Sequence, residues 1–213
     1  MSRSLKYEVP GIDRRISPLD LGDKSWSEIF AGDVPHPNSL VLEIGFGRGE
    51  FLLELAAKNP TTAYVGVEVS FKRVLKMARK VGRAGLRNIR LIEARGEVML
   101  REFFRNQEVS EIWINFSDPW PKDRHAHRRV VQPELVRDAA DRLRPRGVLH
   151  IATDDVTYAE QIDSVLSGES KLQNDNLPEP WLADVPGRIP TGYELDWREK
   201  GRPLHFFSYS RRP

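Results

Sequence analysis

Cysteine is absent from the 213-residue chain, and its absence excludes disulfide bonds, thiol chemistry and cysteine-ligated metal sites. No apolar run approaches the roughly 20 residues that a membrane-spanning helix requires. The first residues, MSRSLKYEVPGIDRR, contain no apolar core of the signal-peptide kind. We therefore expect a cytoplasmic protein that contacts no membrane.

An excess of charge of either sign is also lacking, since 33 lysines and arginines stand against 31 aspartates and glutamates. The overall charge therefore says little about a nucleic-acid partner. Basic residues are nevertheless clustered, at residues 72–73, 122–129 and 142–146. Such clusters bind phosphates when they share one face of a protein, although a solvated helix surface explains any single cluster at least as well.

The pattern of apolar residues divides the chain near residue 38. Residues 1–38 are rich in proline, glycine, aspartate and serine, which predicts an irregular N-terminal arm ahead of one domain over residues 39–213. In that domain, apolar runs alternate with helical segments. Strands are predicted at 40–44, 63–69, 89–93, 111–116 and 148–153. Helices are predicted at 49–58, 71–81 with Gly82 as the stop, 98–105, 133–143 with Gly147 as the stop, and 158–166.

This alternation predicts an α/β fold in which right-handed crossovers build a mostly parallel sheet with helices on both faces. One short strand within 168–190 and a last, antiparallel strand at 204–209 would bring the sheet to seven strands. Open parallel sheets bind ligands outside the carboxyl ends of their strands. The chemistry is therefore expected at the residues that follow each strand.

A glycine-rich loop, Gly45-Phe-Gly47-Arg-Gly49-Glu50, follows the first strand. Alternate glycines let a ligand lie against bare backbone at a helix N-terminus. A dinucleotide-binding loop would carry its third glycine at position 50, so Glu50 argues against a nicotinamide dehydrogenase. The carboxylates of Glu43 and Glu50 would repel a pyrophosphate but suit S-adenosylmethionine, which is cationic and carries no phosphate.

Glu68 ends the second strand, where an acidic side chain can bind both hydroxyls of a ribose. Either glutamate alone would be an ordinary surface carboxylate. Glu43, Glu68 and three glycines in register together favour a binding site for the methyl donor S-adenosylmethionine.

The fourth strand leads into Asn115-Phe-Ser-Asp118-Pro-Trp-Pro-Lys122. Prolines fix φ and restrict the residues before them, so this loop is stiff. A stiff loop beside the donor suits an acceptor base, because methyl transfer depends on placing the nucleophile in line with the reactive carbon. His125 and His127 lack the further ligands that a metal site needs, and we expect no metal.

Two further motifs each allow two interpretations. Asp154 follows the fifth strand and would either accept hydrogen bonds from the N1–H and amino group of a guanine or cap the next helix, with equal weight. Thr191-Gly-Tyr-Glu194 has the spacing of a capping box, and the spacing alone favours a helix cap over a substrate contact.

Together these stretches resemble the bacterial tRNA (guanine-N7-)-methyltransferase family over roughly residues 40–209. The Asp-Pro-Trp loop with its downstream Lys, Arg and His is specific, whereas the glycine loop occurs in many methyltransferases. The matching segments are residues 42–49, 66–68, 118–125, 128–133, 152–154 and 191–194.

The resemblance implies a Rossmann-like class I methyltransferase fold and methylation of guanosine 46 at N7 in the variable loop of tRNA. It implies Asp118 as the catalytic residue. Donor contacts are implied for Glu43, Gly45, Gly47, Glu68, Arg95 and Asp118. Substrate contacts are implied for Lys122, Asp154, Thr191, Gly192, Tyr193 and Glu194.

Two departures from the family pattern qualify these assignments. The family's usual Asp-Ala pair after the third strand is Arg95-Gly96 here, so any donor contact there is expected to use backbone atoms. The family's usual Thr-Lys-Phe-Glu is Thr191-Gly-Tyr-Glu194, which removes one possible phosphate contact.

Alternative functions are a methyltransferase acting on an exocyclic amine of a nucleobase and a non-catalytic RNA-binding module on the same fold. The first is suggested by Ser117-Asp-Pro-Trp but lacks the second proline of an Asp-Pro-Pro-Trp loop. The intact acidic residues argue against the second. The sequence leaves open whether the protein is a monomer or a homodimer.

Overall fold

In this computed structural model, the described residues are 8–213 except for the side chain of Asp123, and they build one seven-stranded sheet. The strand order is β3-β2-β1-β4-β5-β7-β6. The first five strands pair in parallel, and β7 pairs antiparallel with both β5 and β6. The strands are β1 (Leu40–Ile44), β2 (Ala63–Glu68), β3 (Ile89–Glu93), β4 (Val109–Asn115), β5 (Leu143–Thr153), β6 (Leu172–Asn174) and β7 (His205–Arg211).

Helices cover both faces of this sheet, and every residue of β1 and β2 is buried as a result. Leu42 points towards α5, α6 and α7, while Val41 points towards α3 and α4. The helices are α1 (Pro18–Leu21), α2 (Trp26–Phe30), α3 (Glu50–Lys58), α4 (Phe71–Ala84), α5 (Gly96–Phe103), α6 (Pro133–Arg142), α7 (Val156–Ser167) and α8 (Gly192–Glu199), together with a 3-10 helix at Asp123–Arg128.

The strand order indicates where along the sheet a ligand-binding crevice is expected. The chain builds outwards from β1 through β2 to β3, then returns to the other side of β1 with β4 and β5. A crevice opens at such a reversal, outside the carboxyl ends of the strands. The predicted α/β class, the mostly parallel sheet and the antiparallel last strand are confirmed.

The described part of the N-terminal segment contains two short helices where irregular structure was expected. Each starts with a capping box, Ser17 with Asp20 and Ser25 with Glu28. The ring of Trp26 is buried, and its Nε1 donates to the carbonyl of Phe103 at 3.0 Å. The segment therefore packs on the sheet's core. Residues 1–7 of the expected arm lie outside the described residues.

Helix α4 runs past the predicted stop at Gly82 and ends at Ala84, with Gly85 as its C-cap at a φ of 64°. Gly82 lies where α4 meets the N-terminal segment, and a Cβ there would overlap the carbonyl oxygen of Pro10. The glycine is therefore required for a close approach between two segments. Gly147 is likewise not a helix stop, because α6 ends at Arg142 and Gly147 lies within β5.

The contact at Gly82 predicts that Gly82→Ala destabilises the protein, although the same change stabilises most helices. Alanine is normally better than glycine in a helix interior by about 1 kcal/mol. Here the overlap with Pro10 should lower the free energy of unfolding by about 1–3 kcal/mol, as measured by urea denaturation. Gly168→Ala is the control, because its Cβ would lie 3.5 Å from its nearest atoms. A Gly82→Ala protein as stable as the control would contradict the packing.

Candidate active site

The glycine loop follows β1 and turns directly into α3. Gly45, Gly47 and Gly49 have φ angles of 74°, 56° and 77°, which side chains with a Cβ rarely adopt. The amide of Gly45 donates to the carbonyl of Val67 at 2.8 Å and ties the loop to β2. Gly45 and Gly47 thus present bare backbone at the rim of the crevice, as the sequence predicts.

Glu68, at the end of β2, holds this loop in place. Its Oε2 accepts a hydrogen bond from the amide of Gly47 at 3.1 Å, and its Oε1 accepts one from the amide of Ser70 at 3.0 Å. Arg73 lies 3.5 Å from Oε2. A carboxylate oxygen has two lone pairs, so each oxygen can still accept a further bond from a ligand.

Glu43, at the neighbouring strand end, has a poorer environment. Its side chain is 2% exposed, its Oε1 accepts from Asn115 Nδ2 at 3.0 Å, and its buried Oε2 has no hydrogen-bond partner. Burial raises the pKa of this carboxyl to about 7, an effect that the Asn115 bond and the charge of Arg188 oppose and that Glu68 and Glu50 reinforce. A buried oxygen without a partner is rare and marks a place where a ligand would donate.

The Asp-Pro-Trp loop leaves β4 through two strained residues. Phe116 and Trp120 have φ angles of 50° and 43°, which bulky side chains adopt only when their surroundings impose them. The amide of Phe116 donates to Ala152 at 2.8 Å, and Arg129 Nε donates to the carbonyl of Pro119 at 2.7 Å. The exposed Asp118 accepts from the amide of Trp120 at 3.1 Å through Oδ1. The loop is therefore fixed at both ends.

Basic and aromatic side chains continue this rim beyond the loop. The guanidinium of Arg128 lies 4.9 Å from the ring centre of Trp120. Lys122, Arg124 and Arg128 are exposed. Within the described part of the chain, Lys122 forms no ion pair, so its ammonium is available to a phosphate.

The two aspartates after β5 have different roles. Asp155 caps α7, because its Oδ1 accepts from the amide of Tyr158 at 2.8 Å. Asp154 does not cap the helix; its carboxylate lies 3.4 Å from the hydroxyl of Tyr193 and 3.8 Å from Arg202. Of the two interpretations that the sequence allows for Asp154, helix capping is therefore wrong.

The capping box predicted at Thr191–Glu194 is present and starts α8. Thr191 Oγ1 accepts from the amide of Glu194 at 2.9 Å, and Glu194 Oε2 accepts from the amide of Thr191. Tyr193 is 38% exposed and packs on Phe116 at 5.3 Å. The cap thus fixes the segment, and Tyr193 is the member whose side chain faces the rim.

A glycine stands at each of the two departures noted in the sequence, and each glycine has a close neighbour. A Cβ on Gly192 would lie 2.6 Å from Nη2 of Arg48, so a guanidinium from the glycine loop occupies that space. A Cβ on Gly96 would overlap the side chain of Ile44. The Arg95 side chain is exposed, and its Nε donates to Glu97 at 2.7 Å.

Arg188 is a site residue that sequence reasoning missed. It lies in the proline-rich loop before α8, where no periodicity marks it. Its Nη2 donates to Asn115 Oδ1 at 2.5 Å, and its Nη1 pairs with Glu194. In the sequence, the feature that could have indicated Arg188 is its position three residues before the capping box at Thr191.

Two cavities adjoin these residues. One, of about 570 Å³, lies at the ends of β2 and β3 and is lined by Val69, Arg95 and the segment 127–132. The other, of about 460 Å³, lies beneath the loop that carries Arg188. Among the side chains that the structure describes, no three histidine or acidic residues gather as metal ligands would, and no described helix is long and apolar enough to cross a membrane.

Residues 37–207 match a protein-family model described as "Putative methyltransferase". The chain is 36% identical, over 92% of its length, to 59% of a tRNA (guanine-N(7)-)-methyltransferase of Thermotoga maritima. It is 37% identical, over 81% of its length, to 75% of the protein of that name from Halorhodospira halophila. The chain thus spans only part of the length of these relatives.

Solved structures of methyltransferases share the fold. The 16S rRNA methyltransferase KamB has a TM-score of 0.64 at 14% identity, with 89% of this chain and 95% of that chain covered. The aminoglycoside resistance methyltransferase NpmB1 has a TM-score of 0.60 at 17% identity, with 88% and 94% covered. At such identities the likeness concerns the fold alone.

The burial of Glu43 predicts a pH-dependent stability. Because its folded pKa of about 7 lies above the ordinary 4.5, the folded state holds the proton more tightly than the unfolded state. The resulting stabilisation is complete below pH 4.5 and is lost as pH rises to about 7. Such a shift corresponds to roughly 3 kcal/mol.

Glu43→Gln, which cannot titrate, should therefore gain stability relative to the unsubstituted chain between pH 4.5 and pH 8. Urea unfolding of the ligand-free protein across this range measures the gain. Glu50→Gln, with a half-exposed side chain, is the matched control and should gain much less. The same gain in both variants would contradict the assignment to Glu43.

Proposed function

The chain belongs to the tRNA (guanine-N7-)-methyltransferase family, and from this premise we propose that it transfers the methyl group of S-adenosylmethionine to N7 of guanosine 46 in the variable loop of tRNA. The observation that carries the proposal is the convergence of Glu43, Glu68, Asp118 and Asp154 at the carboxyl ends of four adjacent strands. A phosphate-free donor and a purine acceptor fit that edge.

The donor side of the site suits S-adenosylmethionine. The unpartnered Oε2 of Glu43 can accept from the ammonium of the methionine moiety, and Glu68 can accept from the ribose hydroxyls. The cavity beside Val69 and Arg95 has room for a purine ring. S-adenosylmethionine supplies an electrophilic methyl carbon, and the protein's residues hold it beside the Asp-Pro-Trp loop.

The acceptor needs placement more than proton transfer. Guanine N7 has a lone pair and no proton, so the attack requires no general base. The methylated base is cationic, and the carboxylate of Asp118 stabilises that charge as it develops. Asp118 Oδ1 is engaged by the amide of Trp120, which fixes the side chain's direction.

The base itself would be held from the β5 side of the rim. Asp154 accepts hydrogen bonds from the N1–H and the amino group of guanine, an edge that adenine does not offer. The ring of Tyr193 next to Asp154 gives the base an aromatic surface. Lys122 with Arg124 and Arg128 contacts tRNA phosphates, so affinity falls as salt rises. Thr191, Gly192 and Glu194 hold the segment that presents Tyr193.

The direct test is methyl transfer from labelled donor to unmodified tRNA, with guanosine 46 present or replaced. We expect transfer only to the tRNA that carries guanosine, with the methyl group located at N7 by mass spectrometry. A methyl group on an exocyclic amine would support the alternative chemistry. Binding of tRNA without any transfer would identify a non-catalytic RNA-binding module.

Asp118→Ala should lower turnover by about 100- to 1,000-fold, the usual loss when a group that stabilises transition-state charge is removed. Affinity for tRNA should change only about two-fold, because phosphate contacts dominate it. Single-turnover rates and filter binding measure the two effects. Asp23→Asn, in the exposed turn before α2, is the control. Unchanged turnover of Asp118→Ala would refute its catalytic role.

The neighbouring aspartates provide a matched pair. Asp154→Ala should lower kcat/KM for tRNA by about 10- to 100-fold, since it removes charge-assisted hydrogen bonds. Asp155→Ala should instead lower the free energy of unfolding by about 1 kcal/mol through the lost helix cap. Kinetics and thermal denaturation of both variants separate the roles, and similar kinetics for the two would count against base recognition by Asp154.

A further inference from the structure

A line of polar side chains joins the end of β1 to the start of α8. Glu43 accepts from Asn115 Nδ2, and Asn115 in turn accepts from Arg188 Nη2 at 2.5 Å. Arg188 Nη1 pairs with Glu194, the residue that completes the capping box with Thr191. The donor side and the acceptor side of the site are therefore connected by a chain of side chains, with one hydrogen bond between each successive pair.

This line is almost completely enclosed. The side chains of Arg188 and Glu194 are 7% and 2% exposed. The guanidinium lies 5.3 Å from the ring centre of Phe51, 5.7 Å from that of Trp113 and 5.1 Å from that of Phe206. A cation in such surroundings is tolerated only if the carboxylates around it keep their charge and their positions.

The charged groups around the line come from several elements. Arg188 faces Glu43 from β1, Glu194 and Arg198 from α8, and the neutral His150 from β5, whose pKa burial lowers to about 4. Glu43 also faces two further carboxylates, Glu68 at the end of β2 and Glu50 at the start of α3. Among the charged groups near Glu43, Arg188 is the one that favours its ionised form.

Each end of the line carries a group that a ligand could contact. Glu43 Oε2 has no partner at the donor end. At the other end, Tyr193 is next to Glu194 in α8, faces the rim and contacts Phe116 and Asp154. An RNA base stacked on Tyr193 would therefore contact the helix turn whose carboxylate holds Arg188.

We propose that Arg188 is a positioning residue that couples the acceptor segment of α8 to the donor carboxylate Glu43, so that RNA and the methyl donor bind cooperatively. This inference rests on the proposed function. It assigns to the loop before α8 a role in ordering the donor site, in addition to covering the sheet.

The test uses sinefungin, a donor analogue that cannot transfer a methyl group, with calorimetric titration from pH 6 to pH 9 in the presence and absence of tRNA. In the unsubstituted chain, tRNA should tighten sinefungin binding by about five-fold or more. Arg188→Met fits the aromatic surroundings without a charge. It should abolish this coupling and weaken sinefungin about ten-fold at pH 7 relative to the unsubstituted chain at the same pH. This ratio should be smaller at pH 9, because Glu43 of the variant ionises at a higher pH.

Arg188→Lys keeps the charge but cannot hold Asn115 and Glu194 together with a planar fork. It should restore the pH profile while leaving the coupling weak. Lys58→Met is the control for the loss of one positive charge, because Lys58 is exposed at the far end of α3 and pairs only with Glu54 among the described ion pairs. It should keep both the coupling and the profile. If Arg188→Met fails to fold, the comparison of Arg188→Lys with Lys58→Met decides.

Loss of sinefungin affinity by the same factor at every pH would indicate a purely structural role and would overturn the inference. Full coupling in Arg188→Met or Arg188→Lys, or no coupling in the unsubstituted chain, would overturn it as well. Failure of the unsubstituted chain to bind sinefungin at all would instead refute the proposed function, and the inference with it.

Discussion

The buried carboxylate of Glu43 is the constraint on which the rest of the site depends. A carboxylate leaves water only at a cost of several kcal/mol unless hydrogen bonds and opposite charge surround it. Asn115 donates one hydrogen bond to Glu43, and Arg188, which bonds the other side of Asn115, provides a positive charge. The ends of β1 and β4 and the loop before α8 must therefore meet at this point, which is also where a ligand is expected.

Glu43 and Glu68 lie at adjacent strand ends, but their different hydrogen-bond partners give them different roles in the site. Glu68 accepts from two backbone amides and so builds the glycine loop, whereas Glu43 accepts from a single side chain and has one oxygen unsatisfied. The first is satisfied by the protein alone. The second gains most from a cationic or hydrogen-bond-donating ligand, because that ligand completes what folding leaves incomplete.

Local sequence determined the order of elements and the position of the rim. The apolar runs at 40–44 and 63–68 are strands because buried parallel strands need continuous apolar residues. The residues after them share one edge because the strands are parallel. The glycine loop and the Asp-Pro-Trp loop were placed correctly at that edge. Capping at Thr191–Glu194 was also correct, since a capping box needs only four consecutive residues.

Only the tertiary structure decided which residues meet across the chain. Arg188 reaches Asn115, 73 positions away, and Trp26 reaches Phe103, 77 positions away, and neither contact leaves a periodic trace in the sequence. In the sequence Gly82 resembles a helix stop, whereas the structure shows that it allows the close approach of Pro10. Periodicity and capping report on neighbours within about four residues, whereas burial, close approach and charge balance depend on segments that only the completed fold brings together.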